Sequence, residues 1–209
     1  RSADRNWREV IRELPALMKH QHSICDTHRA DFCDLLDLAK DSTVLDLGAG
    51  MGAVSQGLST RYSHVYSVEP VEARLKFLRV RFAQEGCTGI SLIRAGIDSL
   101  PFQENMFDLI VLCGVLEWLP YARKQDNPRD AQLYYLNLLK KLLKPGGVIY
   151  VGIENRYTYD LLIGATDPHI DVRGVTVMPR WMADIVCRRR LGDRYRPYLY
   201  SSRGYEKLL

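Results

Sequence analysis

Long apolar runs are missing from this 209-residue sequence. No stretch reaches the 18 or so apolar residues that a transmembrane helix needs, so none is expected. The first residues, Arg1-Ser2-Ala3-Asp4-Arg5-Asn6, lack both a starting Met and the apolar core of a secretion signal. A trimmed piece of a longer polypeptide is the expectation. Cysteine is sparse and unpatterned: Cys25, Cys33, Cys87, Cys113 and Cys187 form an odd set with no C-x-x-C pair. Neither a disulfide framework nor a zinc site is written there, and scattered thiols fit a reducing cytoplasm. His20 and His22, two residues apart, do not converge on one helix face, so no metal site is expected. Repeats and low-complexity segments are absent as well. What is present, 46% apolar, 10% aromatic and 26% charged residues, is the composition of one globular domain.

The net charge is only +4, yet it is unevenly placed. Residues 173–209 carry nine Lys or Arg against three Asp or Glu, leaving 20 against 22 in the rest. A solvated basic face is the plain reading and an anion-binding patch the sharper one. Nucleic acid is not expected as a partner, because no RNA-binding motif interleaves with the basic residues.

Apolar spacing predicts helix over 6–20, bent or broken at Pro15, and again over 25–39 through Phe32, Leu35, Leu36 and Ala39. Short strands follow at 43–47, 65–68, 90–93, 107–112 and 148–153. Helices fall between them, one starting at Asn127-Pro128 and stopping at Pro145-Gly146-Gly147. Strands alternating with helices of this length give βαβ units: an α/β fold with a doubly wound, mostly parallel sheet and helices on both faces. Ligands of such a sheet bind at the carboxyl ends of its strands.

The first strand runs into Gly48-Ala49-Gly50-Met51-Gly52. Glycines there permit a tight turn and a close ligand approach, and the next helix offers free N–H groups. Glu69, followed by Pro70 at the end of the second strand, suits a ribose diol. Gly48-x-Gly50-x-x-Ala53 also fits a dinucleotide fingerprint, so a nicotinamide-dependent oxidoreductase is a second reading. Asp46 argues the other way. Two residues before the first glycine it would repel a pyrophosphate, but it could serve a cationic amino-acid group, directly or through water. Asp98, in Gly96-Ile97-Asp98-Ser99-Leu100-Pro101-Phe102, is placed to accept from an adenine amino group.

With these residues in order, the sequence resembles the class I S-adenosylmethionine-dependent methyltransferases. Val44-Leu45-Asp46-Leu47-Gly48-Ala49-Gly50-Met51-Gly52 looks like their first motif. Glu69, Asp98-x-Leu100-Pro101-Phe102, Phe107-Asp108-Leu109-Ile110-Val111 and Leu143-Lys144-Pro145-Gly146-Gly147 look like the later ones. The resemblance spans about residues 40–155. It implies a Rossmann-like sheet of seven strands, S-adenosylmethionine as methyl donor and S-adenosylhomocysteine as product. It places the loop of Gly48, Ala49, Gly50 and Gly52 under the donor's methionine and ribose, and Glu69 on the ribose hydroxyls. Asp98 and the Ile97 backbone would take the adenine, with Cys113 and Gly114 near the methyl group. Met51 and Leu100 are either apolar walls of that site or plain core.

Gly152-Ile153-Glu154-Asn155-Arg156-Tyr157, Gly164-Ala165-x-Asp167-x-His169 and Ser201-x-Arg203-Gly204-Tyr205-x-x-Leu208-Leu209 look like methyltransferase domains encoded with bacterial glycan and glycosyltransferase genes. That implies a small-molecule or glycan acceptor, a sugar or sugar phosphate. Two departures stand out. Many relatives have His after the Leu-Glu pair that follows the fourth strand, where this chain has Leu116-Glu117-Trp118. The chain also stops at Leu209, before strands six and seven. The edge beside strand five is then open to another copy or to further domains of a longer chain. The chain is read as a single domain: N-terminal helices over 1–40, a donor-binding core over 41–155 and a truncated, basic acceptor-side segment over 156–209.

An acceptor hydroxyl or carbon must lose a proton, so a base within reach is expected. His169, oriented by Asp167, is the candidate base, against the alternative of a surface-loop histidine. Glu154 positions the acceptor or caps a helix beginning near Arg156. Arg188-Arg189-Arg190, Arg194 and Arg196 could take acceptor phosphates, and Tyr195, Tyr198 and Tyr200 either stack on a sugar or pack. A third reading is a silent module that binds donor or partner and transfers nothing.

Overall fold

The computed structural model describes residues 5–18, 21–124 and 126–209. Residues 1–4 and His20 therefore lie outside the described residues. The chain forms two compact units, residues 1–113 with 139–151 and residues 114–138 with 152–209.

The first unit holds the sheet. Its strands are β1 (Thr43–Leu47), β2 (His64–Val68), β3 (Ile90–Ile93), β4 (Phe107–Cys113) and β5 (Leu143–Gly152). They lie in the order β3-β2-β1-β4-β5. β1 pairs in parallel with both β2 and β4, and β2 pairs in parallel with β3. β1 is buried from Val44 to Leu47, as a central parallel strand must be, and Val44 and Leu45 have no exposed surface. The chain passes from β1 to β2 and β3 on one side, then returns to β4 on the other. That reversal puts the switch point at the carboxyl ends of β1 and β4. The doubly wound sheet expected from the sequence is present, with five strands. Among the described residues no strand follows β5, and only an isolated bridge joins Thr166 to Arg173.

Helices α1 (Trp7–Glu13), α2 (Pro15–Met18), α3 (Gln21–Cys25), α4 (Ala53–Ser59) and α5 (Glu72–Gln84) belong to this unit. Pro15 does interrupt the first helical stretch, starting α2 afresh at the position where its missing N–H costs nothing. The helix expected over 25–39 is different. Most of it is a three-residue-per-turn helix, Thr27–Leu35, capped by the Asp26 side chain on His28 N. That phasing turns Ala30 and Cys33 inward and leaves Leu35 87% exposed, where a 3.6-residue period had counted it as core. Gly57 of α4 explains the close fit. A Cβ there would lie 2.5 Å from the Thr27 carbonyl oxygen and 2.7 Å from Ala30 Cβ.

The second unit contains most of α6 (Pro128–Leu142), then α7 (Tyr159–Leu162), α8 (Arg180–Leu191) and α9 (Ser202–Glu206). α6 gives way to β5 at Leu143, before the expected stop at Pro145. Val172, Val175, Ala183, Cys187 and Tyr195 make the second unit's core. Among the described residues no helix is long and apolar enough to cross a membrane.

Substituting Gly57→Ala should destabilise the protein by about 1–3 kcal/mol, because the added methyl meets backbone that cannot retreat. The urea midpoint reads this directly, and an unchanged midpoint contradicts the packing described.

Candidate active site

Leu47 ends β1, and the next backbone segment is left-handed at Gly48, Gly50 and Gly52 (φ 74°, 57° and 86°). Gly48 and Ala49 both donate to the Val68 carbonyl at 2.9 Å, which pins the loop to the end of β2. Glu69, the next residue, is 1% exposed. Its carboxylate accepts from Gly50 N and from Val71 N, each at 2.9 Å, and Arg74 lies 3.5 Å away. Gly50 faces open space, the nearest atom to an added Cβ being the Gly48 oxygen at 3.9 Å. Gly52 is glycine for another reason: its Cβ would strike Leu78 Cδ2 of α5 at 2.4 Å.

Asp46 is buried behind the loop. It accepts a hydrogen bond from Ser55 Oγ, which also meets Ser67 Oγ at 2.7 Å. Burial raises its pKa to about 6, against the opposing effect of the Ser55 hydrogen bond. Asp46 thus braces the loop from beneath. Pro70 is exposed beside Glu69, and Ile97–Ser99 form a single turn after β3, capped by Gly96, with Asp98 on the exposed side. Cys113, closing β4, receives a hydrogen bond from Arg29 at 3.1 Å. So the glycine loop and Glu69 are brought into contact, while Asp98 and Cys113 stand at the ends of neighbouring strands.

Arg81 escaped notice in the sequence because it looks like one more charge on an amphipathic helix. It is fully buried, donating to the Ile24 and Met51 carbonyls at 2.6 Å and stacking 4.1 Å over Trp7. Burial lowers its pKa to about 10, which leaves it charged at neutral pH. Met51 is a loop residue, so a buried cation also holds the glycine turn.

The second unit gathers a different set. Asp167 is buried and accepts from Thr176 Oγ1 at 2.5 Å, Tyr195 OH at 2.8 Å and His169 N at 2.8 Å. His169 is no surface-loop histidine, since its side chain is 5% exposed. Nδ1 lies 3.3 Å from Asp167, and Nε2 lies 3.4 Å from Glu117 and 3.6 Å from Glu154. Burial pulls the imidazole pKa down, but the surrounding carboxylates of Asp167, Glu117 and Glu154 outweigh it and raise it to about 9. The group expected to accept a proton near neutral pH already carries one there. One ligand-capable atom each from Glu117, Glu154 and His169 lie within 4.8 Å of one another, close enough to hold one cation. As the structure stands, the imidazolium supplies the positive charge at their centre. Glu117 lies 37 positions before Glu154 in the sequence, and only the fold joins them. Glu154 caps nothing: α7 begins at Tyr159 after Thr158.

The basic segment is redistributed. Arg196 is buried and spent, bonding Asp193 at 2.9 Å and the Lys124 carbonyl at 2.5 Å. It is unavailable to an acceptor phosphate. Arg188, Arg189 and Arg190 are the exposed last turn of α8. Tyr195 is core, whereas Tyr198 and Tyr200 are only half-buried.

A family described as a methyltransferase domain matches residues 45–151, from within β1 into β5. The chain belongs to that family. Among the solved structures that it resembles are S-adenosylmethionine-dependent methyltransferases. Protein-L-isoaspartate O-methyltransferase of Methanothrix thermoacetophila is 30% identical over 175 residues, 80% of this chain and 75% of that protein. Ubiquinone biosynthesis O-methyltransferase of Xylella fastidiosa is 29% identical over 128 residues, 61% and 48% of the two chains. The chain thus spans three quarters of one curated relative and about half of others. The fold agrees with a SAM-dependent methyltransferase from Aquifex aeolicus (TM-score 0.55, 16% identity, covering 87% of this chain and 86% of that one). An S-adenosylmethionine-dependent methyltransferase from Clostridium acetobutylicum gives 0.57 at 21% identity, covering 77% and 63%. Membership of the methyltransferase family sets the nicotinamide reading aside.

Because the His169 pKa rises on folding, its contribution to stability is full below the unfolded value of 6.5 and is lost as pH climbs through about 9. Thermal denaturation between pH 7 and pH 10 should show an alkaline loss of up to about 3 kcal/mol, and His169→Gln should flatten it. An identical slope in the variant contradicts the charged cluster.

Proposed function

We propose that this methyltransferase domain passes a methyl group to a hydroxyl or carbon of a small-molecule or glycan acceptor, a sugar or sugar phosphate, in the cytoplasm. S-adenosylmethionine, when bound, supplies a sulfonium-linked methyl group whose transfer is an in-line displacement with a good leaving group. The chain's residues then have to bind, orient and exclude water.

In this reading the loop of Gly48, Ala49, Gly50 and Gly52 lies along the donor, its path open because Gly50 projects no side chain. Glu69 takes the ribose hydroxyls, exchanging a backbone partner for a ligand one. Ile97 and Asp98 take the adenine, with Gly96 and Pro70 shaping the backbone on either side and Cys113 close to the methyl. Asp46 contributes through Ser55 and the loop rather than by direct contact.

His169 and Glu154 serve the acceptor. Glu154 is 52% exposed and is the member of its cluster open to a ligand. His169 can take the acceptor's proton only after losing its own. The observation that carries the glycan reading is the assembly of the three segments with glycan-locus resemblance into one structure. Glu154, Asp167 and His169 meet around the imidazole, and the Arg156 amide donates to the Tyr200 carbonyl at 2.9 Å. Asn155 likewise donates to Ser202 Oγ at 3.0 Å.

Isothermal titration with S-adenosylhomocysteine tests the donor half. Asp98→Ala should weaken binding by about 1–3 kcal/mol, the cost of losing a charged hydrogen-bond partner. Gly50→Val should abolish it. Full affinity in both variants would remove the loop and Asp98 from the site. Label transfer from methyl-labelled donor into a panel of sugars and sugar phosphates tests the acceptor half, and transfer only into peptides would overturn it. With His169 as base, the rate should rise about tenfold per pH unit between roughly 7 and 9. A flat profile would exclude that role.

A further inference from the structure

The second unit contains a cavity of about 220 Å³ whose walls include Arg156, Arg180, Tyr198, Tyr200 and Ser201. No carboxylate lines it. Both arginines are half-buried, and among the described residues neither lies within ion-pair distance of an acidic side chain. Both are held rigidly by backbone. Arg156 donates through Nε to the Thr176 carbonyl at 2.7 Å and through Nη2 to the Met178 carbonyl. Arg180 donates through Nη2 to the Leu199 carbonyl, and its guanidinium lies 3.7 Å from the centre of the Tyr198 ring. Arg180 Nη1 is buried with no hydrogen-bond partner. Burial and the charge of Arg156 both press the Arg180 pKa downward, the signature of a cation short of an anion.

We propose that this cavity is a binding site for a phosphoryl group, held between Arg156 and Arg180 and flanked by the rings of Tyr198 and Tyr200. A phosphate dianion matches the two positive charges and gives the orphaned Nη1 an acceptor. Fixed guanidinium groups bind it with little further loss of side-chain freedom. The volume fits the charge. Pockets for whole drug-sized ligands run to roughly 300–1,000 Å³, so this one takes a phosphoryl head and part of its carrier while the remainder stays outside. The carrier sits beside half-buried tyrosine rings, which suit a sugar. The inference does not depend on methyl transfer: every residue in it belongs to the second unit, and binding is read without the donor. It replaces the exposed arginines of α8 and the buried Arg196 as the chain's phosphate-binding residues.

Isothermal titration with inorganic phosphate, glucose 1-phosphate and glucose is the test. Both phosphates should bind and glucose should not. Equal affinity for the two assigns the site to the free anion, and tighter binding of glucose 1-phosphate assigns it to a phosphorylated sugar; either result supports a phosphoryl site. Arg180→Gln should weaken phosphate binding by roughly tenfold or more. Ser201→Asp guards against a folding artefact, because aspartate caps α9 as well as serine does while adding a negative charge to the wall. It should abolish phosphate binding and leave S-adenosylhomocysteine affinity unchanged. Absence of heat with either phosphate at millimolar concentration, or wild-type phosphate affinity in Ser201→Asp, overturns the proposal.

Discussion

Where β2 ends, a carboxylate almost wholly removed from solvent accepts from two backbone amides that lie outside any strand or helix. Gly50 N and Val71 N come from opposite sides of Glu69, so one side chain ties the glycine turn to the start of α5. Two more bonds, from Gly48 N and Ala49 N to the Val68 carbonyl, fix the same turn to the strand itself. From below, buried Arg81 holds the Met51 carbonyl and buried Asp46 holds Ser55. A loop with three left-handed glycines would otherwise be the most mobile part of the sheet's edge. Anchored from several directions, it becomes a rigid ledge at the switch point, with no side chain at Gly50. A donor nucleoside needs that combination, because close approach and preorganisation both fail if the backbone wanders.

Much of this ledge was legible in the sequence. The pattern of Gly48, Gly50 and Gly52 after an apolar strand, with an acid at Glu69, names a turn and a hydrogen-bond acceptor at the next strand's end. What the pattern hides is that its glycines answer to different demands. Gly50 leaves room for a ligand, whereas Gly52 leaves room for Leu78 and Phe82. Gly57 belongs to no motif, yet its missing side chain lets α4 press against Thr27 and Ala30. Arg81 was illegible for a related reason. Periodicity sorts residues by face, and an arginine on the inward face reads as an exception until the carbonyls it serves are seen. The three-residue-per-turn helix over Thr27–Leu35 is hidden in the sequence because its apolar residues also fit a 3.6-residue period.

The second unit is the part least legible in the sequence, because its physics is mostly that of buried charge. Asp167-Pro168-His169 looks like a surface turn in one dimension. In three, the His169 imidazole, the Thr176 hydroxyl, the Tyr195 phenol and the His169 amide surround Asp167 and pull its pKa to about 2 against the upward push of burial. The imidazole beside it is favoured in its protonated form at neutral pH, facing Glu117 and Glu154. A few residues away in the fold, Arg156 and Arg180 pose the opposite problem, with positive charge and no acid to meet it. One unit thus contains a carboxylate-rich cluster and an anion-poor pocket.

The central claim is that the donor lies along the glycine ledge and draws Glu69 off a backbone amide. Amide NMR spectra recorded during titration with S-adenosylhomocysteine test it most directly. The account predicts that the largest shifts fall on Gly48, Gly50 and Val71, with the Gly50 amide moving as its bond to Glu69 is exchanged. Saturable binding that leaves those three amides in place, with shifts confined to other parts of the chain, would contradict it.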